Sequence, residues 1–491
     1  MGYWQLTRNA IYVEKEHVPT TPEDREYTIY THFDGIEFPP PGNEIERAIE
    51  AYTGKRLTFE AIPASTMEEI MPVMIASEDT PDVISSSWFK EAYMINAFRG
   101  DVFWEIGPFL KDYPNLSRVP ADTYANTSID GKIYGLPKVR PLARDVYIYR
   151  KDWLDNLGMK EPDTLEEFYK MLQAFTYDDP DRNGQDDTFG MTVSGVGIQT
   201  RFATMFGAPN EWKAGDEAFM ASVTTEVYFE ALEFFKALYD EKLISQDFAL
   251  IGRPKWEEAF STGKAGVWPD TSNAAARMYK RIKRNFPDAE IGMFSLLEGP
   301  GGTQLAAGNG HNGIFVFPKS SLQTEEELKE MLDFFEKLSE EPMATLLKWG
   351  IEGKHYELVN GKPVPIAGAD LHNEVFLPYQ LPLSIIPVQE NALVGHASLL
   401  ELQEIQISIE NEPYAVKNPA LPLTSETEIK IGSQLNTLIS DANTRFIMGL
   451  LDEQGWRSEI ERWRRIGGDR MAKEYAEEYV KLNGQSTEAG G

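Results

Sequence analysis

Cysteine is absent from the 491 residues of the chain. Its absence excludes disulfides, thiol nucleophiles and zinc sites built from thiolates. Long apolar runs are also missing, because no stretch approaches the roughly 18 residues that a membrane-spanning helix requires, and the N-terminus shows no signal peptide. The sequence therefore predicts either a cytoplasmic protein or the soluble part of an exported protein whose leader has been removed.

Positive charge is scarce, since Lys and Arg total 47 against 78 Asp and Glu and the formal net charge is −31 at pH 7. Clustered basic residues drive binding to nucleic acids and to anionic lipid surfaces, so neither is expected as a partner. Hydrophobic residues make up 42% of the chain and aromatic residues 12%, which is enough for well-buried cores. A chain of this length is too long for one core, and we predict two or three domains.

Strand-like runs alternate with helical patterns along the chain. β-Rich runs lie at 27–33, 56–63 and 81–87, helical patterns separate them, and the alternation resumes at 146–158. Strands that alternate with helices are typical of α/β domains with a mostly parallel sheet. The sequence therefore predicts an α/β protein with two lobes and more than one chain crossing between them.

Two helix starts carry the spacing of a capping box, in which a hydroxyl and a carboxylate satisfy the free amides of the first turn. The first box pairs Thr164 with Glu167, and the second pairs Thr324 with Glu327. These boxes predict helices that begin directly after each threonine. The stretch from 420 to 482 has a largely helical and charged pattern.

The segment DDPDRNGQDDTFG, from 178 to 190, concentrates acidic and amide side chains in one loop. A calcium loop needs oxygen ligands at alternating positions and a glycine at the sixth position for a sharp turn. Counted from the second residue of the segment, these oxygens would come from Asp179, Asp181, Asn183, Gln185 and Asp187. Gly184 occupies the sixth position, but the twelfth is Gly190 in place of glutamate. This departure excludes an EF-hand sensor and leaves Asp187 or Thr188 as the closing ligand.

The alternative interpretation of this loop is an Asx-rich turn without metal. If a cation binds, all of its ligands come from one local loop, which leaves no open face for substrate activation. We therefore expect a structural calcium ion rather than a catalytic one.

A series of short motifs occurs in order along the chain: MIASEDTPDVI at 74–84, DGKIYGLP at 130–137, YRKDWLDNLG at 149–158, PDTLEEF at 162–168, LYDEKLISQDF at 238–248, FSTGKAGVW at 260–268 and WGIEGKHYEL at 349–358. The series resembles the extracellular solute-binding proteins of ABC sugar importers. It is most similar to the large subgroup that contains alginate-oligosaccharide-binding proteins and many Gram-positive lipoproteins. The resemblance covers about residues 27–482, nearly the whole chain.

The resemblance implies a type II periplasmic-binding-protein fold, in which two α/β lobes joined by a multi-crossover hinge close over a ligand. It implies a flexible arm at 1–26, a first lobe at 27–142 plus 310–365, and a second lobe at 143–309 plus 366–485. Crossings are expected near 138–146, 308–316 and 355–375. It also implies a structural Ca²⁺ on the acidic loop, with Thr188 where the family commonly has glutamate.

The same resemblance implies a cell-surface protein that works with ABC transporter permease subunits. We expect the protein to be a monomer. Family members usually carry a lipobox cysteine that anchors them outside the membrane. Because this chain has no cysteine, we expect it to be the mature part of a lipoprotein, without its anchor and leader.

Candidate ligand residues follow from the rule that ligands of open α/β sheets lie beyond the carboxyl ends of strands. Sugars need flat apolar faces and planar polar groups. The residues of this kind at predicted strand ends and crossings are His32, Asp34, Ser87, Trp88, Trp268, Asp270, Asn309 and His311, and Trp212 and Tyr356 are added from loops. For each tryptophan the alternative is core packing, and for His32 it is a satisfied histidine at a strand end. Arg140 and Arg144 lie beside the expected hinge, where they could bind a carboxylate or serve as surface ion-pair partners.

Two other classes of function compete with an oligosaccharide receptor. A glycoside-processing enzyme would need a carboxylate pair across the scissile bond. Because the chain has 78 acidic residues, some pair will always lie close enough, so the presence of such a pair is no evidence for an enzyme. The chain has no G-x-S-x-G, H-E-x-x-H or Walker motif, and we therefore expect no enzyme. A receptor for peptides or amines on the same fold is the second alternative.

Overall fold

Two β-sheets, each with its own helices and buried core, organise the chain. The structure is a computed structural model that describes residues 25–33, 37–195, 198–395 and 399–488. Most of the expected arm at 1–26 lies outside these residues, and Glu26 already opens the first strand. The α/β class predicted from the sequence is confirmed.

The first sheet contains β1 (Glu26–His32), β2 (Arg56–Ile62), β3 (Val83–Ser86), β4 (Gly135–Val139) and β14 (His311–Val316). Its strand order is β2-β1-β3-β14-β4. β1 runs parallel to β2 and β3, whereas β14 is antiparallel to both of its neighbours. The sheet is therefore mixed rather than mostly parallel, because β14 returns from the other lobe and enters from the opposite end.

The second sheet contains β5 (Asp145–Arg150), β6 (Phe189–Met191), β9 (Ala265–Thr271) and β10 (Ile291–Phe294), in the order β10-β5-β9-β6. β6 is parallel to β9, and β5 is antiparallel to β9 and β10. The remaining strands form two-stranded pairs: β7 (Trp212–Lys213) with β8 (Met220–Ala221), β11 (Glu298–Gly299) with β12 (Gly302–Thr303), β13 (Leu305–Ala306) with β17 (Ala415–Val416), and β15 (Tyr356–Val359) with β16 (Lys362–Pro365).

The α-helices are α1 (Glu44–Thr53), α2 (Ala64–Ser77), α3 (Ala92–Arg99), α4 (Ala121–Asn126), α5 (Lys151–Asn156), α6 (Leu165–Tyr177), α7 (Ile198–Met205), α8 (Glu226–Asp240), α9 (Arg253–Ser261), α10 (Ala275–Asn285), α11 (Glu325–Leu338), α12 (Glu341–Trp349), α13 (Leu381–Leu383), α14 (Val388–Asn391), α15 (Leu399–Asn411), α16 (Glu426–Ile447), α17 (Glu453–Trp463) and α18 (Asp469–Glu488). Both predicted capping sites begin a helix. The amide of Glu167 donates to Thr164 Oγ1 at 3.2 Å at the start of α6, and Thr324 with Glu327 forms a complete capping box at the start of α11.

Each sheet is covered on both faces by apolar side chains, so each lobe has a core of its own. The first sheet lies between two clusters that contain Ile29 and Ile84 respectively. The second lies between a large cluster around Phe168, which also takes in α16 to α18, and a smaller one around Ile148. Burial of these apolar faces is the main stabilising contribution to each lobe.

The chain crosses between the lobes after β4, between β13 and β14, and between α14 and α15. The third crossing corrects the expectation of 355–375. Val375, Tyr379 and Leu383 all pack in the core of the first lobe, so the segment that we expected in the second lobe from residue 366 still belongs to the first. The second lobe resumes only at α15, where Ile407 joins its smaller core.

Candidate functional site

One edge of the first sheet faces the second lobe. β1 and β3 run parallel and end at this edge with His32 and Ser86. β14 begins there, because Ile314 lies opposite Ser86 in an antiparallel pair, and β4 ends there with Val139 opposite His311. The crossings after β4 and before β14 both leave from this edge, which therefore borders the cleft between the lobes.

Ser87 and Trp88 lie directly beyond β3 at this edge. Ser87 is exposed and Trp88 is half-buried, and the Trp88 amide donates to Ser86 Oγ at 3.1 Å. Gly313 has a φ of +89°, and a Cβ there would lie 2.5 Å from the Ser86 carbonyl oxygen. Glycine thus lets β14 come close to the end of β3. Trp88 rests partly on the core of the first lobe and keeps part of its indole accessible.

His311 is half-buried at the start of β14, with its ring edge-on to Phe89 at a centroid distance of 5.3 Å. Its Nδ1 accepts a hydrogen bond from the Gly313 amide at 3.1 Å. Burial, together with the positive charges of Lys90 and Lys138, lowers the pKa of His311 to about 4. The imidazole is therefore neutral at pH 7, and it carries its proton on Nε2 as a donor for a ligand.

Lys90 is a further residue of this edge, and strand-end reasoning missed it. Its Nζ donates to the carbonyl oxygen of Leu421, in the segment that leads into α16. Burial lowers the pKa of Lys90 to about 8, against the opposing effect of Glu428. A signal was available in the sequence, because Lys90 follows Trp88 in the same loop after β3.

Carboxylates of the second lobe lie opposite Lys90. Glu211 and Glu428 are solvent-accessible, and Asn418 Nδ2 donates to Glu211 Oε2 at 2.8 Å. Burial by the surrounding protein raises the pKa of both carboxyls, and Glu428 adds to the effect on Glu211. Burial and the neighbouring Glu428 also raise the pKa of Tyr475. The cleft therefore has cationic groups on its first-lobe side and acidic groups on its second-lobe side.

The two lobes touch where α16 begins. Arg99 Nη1 of the first lobe pairs with Glu426 Oε1 at 2.6 Å, and the Thr424 hydroxyl donates to Asp130 at 2.8 Å. Ile429 packs against the core of the first lobe. The two lobes are therefore in direct contact at one end of the cleft.

Trp268 and Asp270 do not lie in a loop, which corrects the expectation from the sequence. Both belong to β9. Trp268 is 0% exposed and packs against Trp256 and Phe260 at centroid distances of 5.6 and 6.2 Å. Asp270 is buried and accepts a hydrogen bond from Arg253 Nη2 at 2.8 Å. Neither side chain is presented to the cleft in this arrangement.

Trp212 and Tyr356 are also internal, which corrects their selection as loop residues. Trp212 is buried in β7 and packs edge-on to Tyr475 with centroids 5.1 Å apart, as well as near Trp463 at 6.2 Å. Tyr356 is buried at the start of the β15–β16 hairpin, opposite Pro365. Core packing accounts for both aromatic rings.

Three candidates remain: two lie at the cleft edge, and the third lies outside the residues that the structure describes. His32 is half-buried at the end of β1. Asn309 is exposed, and its Oδ1 accepts from the His311 amide at 3.2 Å. Asp34 lies outside the described residues. Of the predicted residues, the edge of the first sheet brings together His32, Ser87, Trp88, Asn309 and His311.

The acidic loop between α6 and β6 folds around its own amides. Asp179 accepts from the amides of Asn183 and Gly184 at 3.0 and 3.1 Å. Asn183 Nδ2 bridges Asp181 and Asp187 at 2.9 and 3.2 Å. Burial and the neighbouring carboxylates raise the pKa of Asp181. Carboxylate oxygens of Asp181 and Asp187 thus converge on one amide nitrogen, and carboxylate oxygens are ligands that calcium takes.

Thr188, the expected closing ligand, is engaged elsewhere. Its buried hydroxyl donates to the Phe175 carbonyl oxygen at 2.9 Å, which ties β6 to α6. The role of Thr188 as a calcium ligand stays a prediction. The backbone amide of Gln185 donates a hydrogen bond to Asn183 Oδ1 at 2.6 Å. Across the described ranges, no group of three or more His, Cys, Asp or Glu side chains is placed to hold a metal ion. The donor types of the loop suit calcium, although they are not drawn into a complete cage.

Two lobes, each built on a mixed sheet and joined by chain crossings at a cleft, define the class of binding proteins that close over a solute. The chain belongs to the family described as "Bacterial extracellular solute-binding protein", which it matches over residues 37–337. The family resemblance stated from the motifs is therefore confirmed. In the described part of the chain, no helix has the length and apolar character needed to cross a membrane.

Relatives and solved structures agree with this assignment. The chain is 36% identical to the lipoprotein LipO of Bacillus subtilis (strain 168), over 87% of each chain. It is 33% identical to the polygalacturonan/rhamnogalacturonan-binding protein YtcQ of the same organism, over 90% of this chain and 89% of the relative. The structure of an EF-hand mutant of the S. pneumoniae ABC-transporter substrate-binding protein FusA, in complex with fructo-nystose, matches with a TM-score of 0.66. It covers 94% of this chain and 100% of that chain at 18% identity, which confirms the predicted two-lobe fold.

Proposed function

We propose that this protein binds an oligosaccharide in the cleft between its lobes and delivers it to the permease subunits of an ABC transporter at the cell surface. The observation that carries the proposal is the edge of the first sheet, where an accessible indole stands beside hydroxyl, imidazole and ammonium groups. This set consists of Trp88, Ser87, His311 and Lys90. Carboxylates of the second lobe face it. The lipoprotein relative supports a lipid anchor as the means of surface attachment.

These groups match the chemistry of a sugar. The indole of Trp88 offers a flat apolar surface to the C–H face of a pyranose, and excluding water from both surfaces contributes about 25 cal/mol per Å² of apolar area. His311 offers Nε2–H as a donor, whereas Glu211 and Glu428 offer acceptors for hydroxyls. Among the relatives, YtcQ is named for binding polygalacturonan and rhamnogalacturonan, and FusA was solved with fructo-nystose.

Binding in this arrangement requires the lobes to open and close. The Arg99–Glu426 ion pair and the Thr424–Asp130 hydrogen bond join the lobes at the start of α16. A partly exposed ion pair of this kind contributes about 0.2–1 kcal/mol. Rotation about the crossings after β4 and before β14 would expose the edge of the first sheet. A ligand held by both sides would then favour the closed form.

A carbohydrate panel tests the proposal. The protein is incubated with neutral and acidic oligosaccharides, binding is measured by calorimetric titration, and the supernatant is analysed for shortened products. We expect one class of oligosaccharide to bind, to raise the melting temperature and to remain intact. Shortened products would indicate a glycoside-processing enzyme, and binding of peptides or amines in place of every saccharide would contradict the proposal.

We also propose that the acidic loop binds Ca²⁺ with a structural role. The proposed ligands are Asp179, Asp181, Asn183, Gln185, Asp187 and Thr188. The support is the convergence of Asp181 and Asp187 on one amide of Asn183, together with the EF-hand that was mutated in FusA. Burial raises the pKa of Asp181 and the neighbouring carboxylates add to the effect; when bound, the ion would offset the repulsion among these carboxylates. Gly190, which lacks a side chain, leaves the closing position to water or to a backbone carbonyl.

Chelation tests the calcium proposal. At saturating calcium the ion adds RT ln(1 + [Ca]/Kd) to the free energy of unfolding, about 2.7 kcal/mol at a hundredfold excess over Kd. We expect a chelator to lower the melting temperature of the protein and to leave that of Asp181→Asn nearly unchanged. Asp186→Asn, in the same loop but at no ligand position, is the control and should respond like the wild type. An equal melting temperature with and without calcium would contradict the proposal.

A further inference from the structure

Arg140 lies in the crossing between the lobes, one residue beyond β4. Its amide donates to the Gly310 carbonyl oxygen at 2.9 Å, and the preceding Val139 pairs with His311. This pairing places Arg140 at the same edge of the first sheet as Ser87 and Trp88. The crossing after β4 is therefore part of the floor of the cleft.

Within residues 25–33, 37–195, 198–395 and 399–488, the guanidinium of Arg140 contacts no carboxylate. Its Nη1 donates to the carbonyl oxygen of Val139 at 2.8 Å, and among the described residues it forms no ion pair. The charged groups close enough to act on it are the cations Lys138 and Arg144. Burial, followed by the charge of Arg144, lowers the pKa of Arg140 to about 10.

Lys138 strengthens this positive field from beneath. It is fully buried, and its ammonium donates to Ser85 Oγ at 2.8 Å. Burial, followed by the charge of Arg140, lowers the pKa of Lys138 to about 7. Two neighbouring cations, one buried and one half-buried, thus repel each other without a carboxylate to offset them.

Lys90 and Arg144, two other cations near the cleft, have carboxylates close by, which distinguishes them from Arg140 and Lys138. Lys90 faces Glu428. Arg144 donates to Asn273 Oδ1 at 3.3 Å, and three carboxylates oppose the effect of burial on it. In a chain with a net charge of −31, an arginine whose charged neighbours among the described residues are cations is a position where an anion would gain the most.

We propose that the ligand is an acidic oligosaccharide and that Arg140 receives the carboxylate of one uronic acid residue. This inference rests on the proposed function, because it names the charge of the oligosaccharide bound at the same cleft. A guanidinium donates two parallel hydrogen bonds to a carboxylate, a bidentate geometry that few other side chains offer. Salt screens the repulsion from the acidic outer surface over about 8 Å. Glu211 and Glu428 lie on the second-lobe side of the cleft, whereas Arg140 lies on the first-lobe side, where the charged neighbours described are cations.

Matched ligands and matched variants test the inference. Uronic acid oligosaccharides of several linkages are compared with the same oligosaccharides after reduction of their carboxyl groups, next to a neutral panel. Titrations are carried out on the wild type, Arg140→Gln and Arg140→Lys. Arg47→Gln is the control, because the Arg47 guanidinium also bonds a single carbonyl oxygen but lies on α1.

We expect an acidic oligosaccharide to bind at least tenfold more tightly than its reduced form. Arg140→Gln should remove this preference with a roughly tenfold to hundredfold loss in affinity for the acid, as expected for a charged hydrogen bond. Arg140→Lys should retain part of it, and Arg47→Gln all of it. The melting temperature without ligand should stay the same or rise in Arg140→Gln, because one of two repelling cations is removed.

Each other outcome overturns a definite statement. Binding of neutral oligosaccharides alone, or equal binding of the acidic and reduced forms, overturns the inference about charge and leaves the proposed function intact. A preference for acid that survives in Arg140→Gln overturns the role of Arg140. A marked fall in melting temperature of Arg140→Gln without ligand assigns the residue to the fold, and binding of no saccharide at all overturns the proposed function.

Discussion

The cleft-facing edges of the two sheets differ in how they treat their polar and aromatic side chains. At the first edge, Ser87, Trp88 and His311 keep accessible surface. At the second edge, Arg253 pairs with the buried Asp270 at 2.8 Å, and Arg201 pairs with Asp145 at 2.9 Å. The first edge therefore leaves polar and aromatic side chains accessible, whereas the second uses its polar side chains in internal ion pairs.

Strand length explains the difference. β3 ends at Ser86 and releases the chain into a loop, whereas β9 continues to Thr271 and keeps Trp268 inside the sheet. The same rule about strand ends therefore selects accessible residues in one lobe and core residues in the other. Variants at four positions test this difference between the two edges.

The largest effect is expected in the second lobe, for Trp268→Ala. Its indole is 0% exposed and packs on Trp256 and Phe260, so truncation leaves a large cavity. We expect the free energy of unfolding of the second lobe to fall by about 3–5 kcal/mol, as measured by denaturant unfolding. A variant of wild-type stability that loses only ligand affinity would show that the ring faces the cleft after all.

Trp88→Ala should behave in the opposite way. The ring is half-buried at the first edge, so we expect affinity for the oligosaccharide to fall roughly tenfold to a hundredfold, the usual effect of removing a binding anchor. The loss of stability should be much smaller than in Trp268→Ala. Calorimetric titration and thermal unfolding of both variants measure this contrast. Unchanged affinity in Trp88→Ala would show that Trp88 serves core packing rather than ligand binding.

The uncompensated cations of the first lobe should give stability a pH dependence. The pKa of Lys138 is lowered from 10.5 to about 7 in the folded protein. Between pH 7 and 10.5 the unfolded chain holds a proton that the folded protein lacks. The free energy of unfolding therefore rises with pH across this window, by at most about 1.4 kcal/mol per pH unit, and the cost is fully present below pH 7.

Lys138→Met should lose this rise. The change in free energy of unfolding between pH 7.5 and 9 is measured by denaturant titration for the wild type and the variant, so that contributions of other groups cancel. Lys213→Met, at an exposed lysine of the second lobe, is the control and should keep the wild-type slope. An identical slope in Lys138→Met would show that Lys138 stays charged in the fold.

The smallest effect is expected where the two lobes meet. Arg99→Ala removes the pair with Glu426, a partly exposed bond of about 0.2–1 kcal/mol. We expect affinity to fall by no more than about fivefold, with a slightly larger radius of gyration by small-angle scattering at low salt. Lys236→Ala, which breaks a pair with Asp240 inside the second lobe, should change neither quantity.

The sequence predicts the α/β class, the capped helices and the family, because these follow from local patterns. Thr164 and Thr324 both begin helices as predicted. The extent of β9 could not be predicted, since Pro269 and Asp270 are residues that usually end strands. Pro269 is tolerated because β6, the neighbour on one side, pairs only as far as Val267, and the amide that proline lacks is not needed there.

The remaining features that the sequence did not predict depend on contacts between residues far apart in the chain. Lys90 and Glu428 belong to segments that meet only when α16 docks on the first lobe. No spacing in the sequence indicates this contact. The third crossing was misplaced for a related reason, because the π-helical turn His372–Gln380 continues the first lobe with a pattern that resembles any other amphipathic segment.

The central position of β14 has a consequence for how the molecule assembles. β3 and β4 are made early in the chain, but the strand that joins them begins only at His311. The second lobe is interleaved in the same way, because its core needs Phe446 and Trp456 from α16 and α17. A nascent chain therefore cannot finish one lobe and then begin the next. Both must wait for segments hundreds of residues away, which predicts slow, late and concerted folding rather than maturation lobe by lobe.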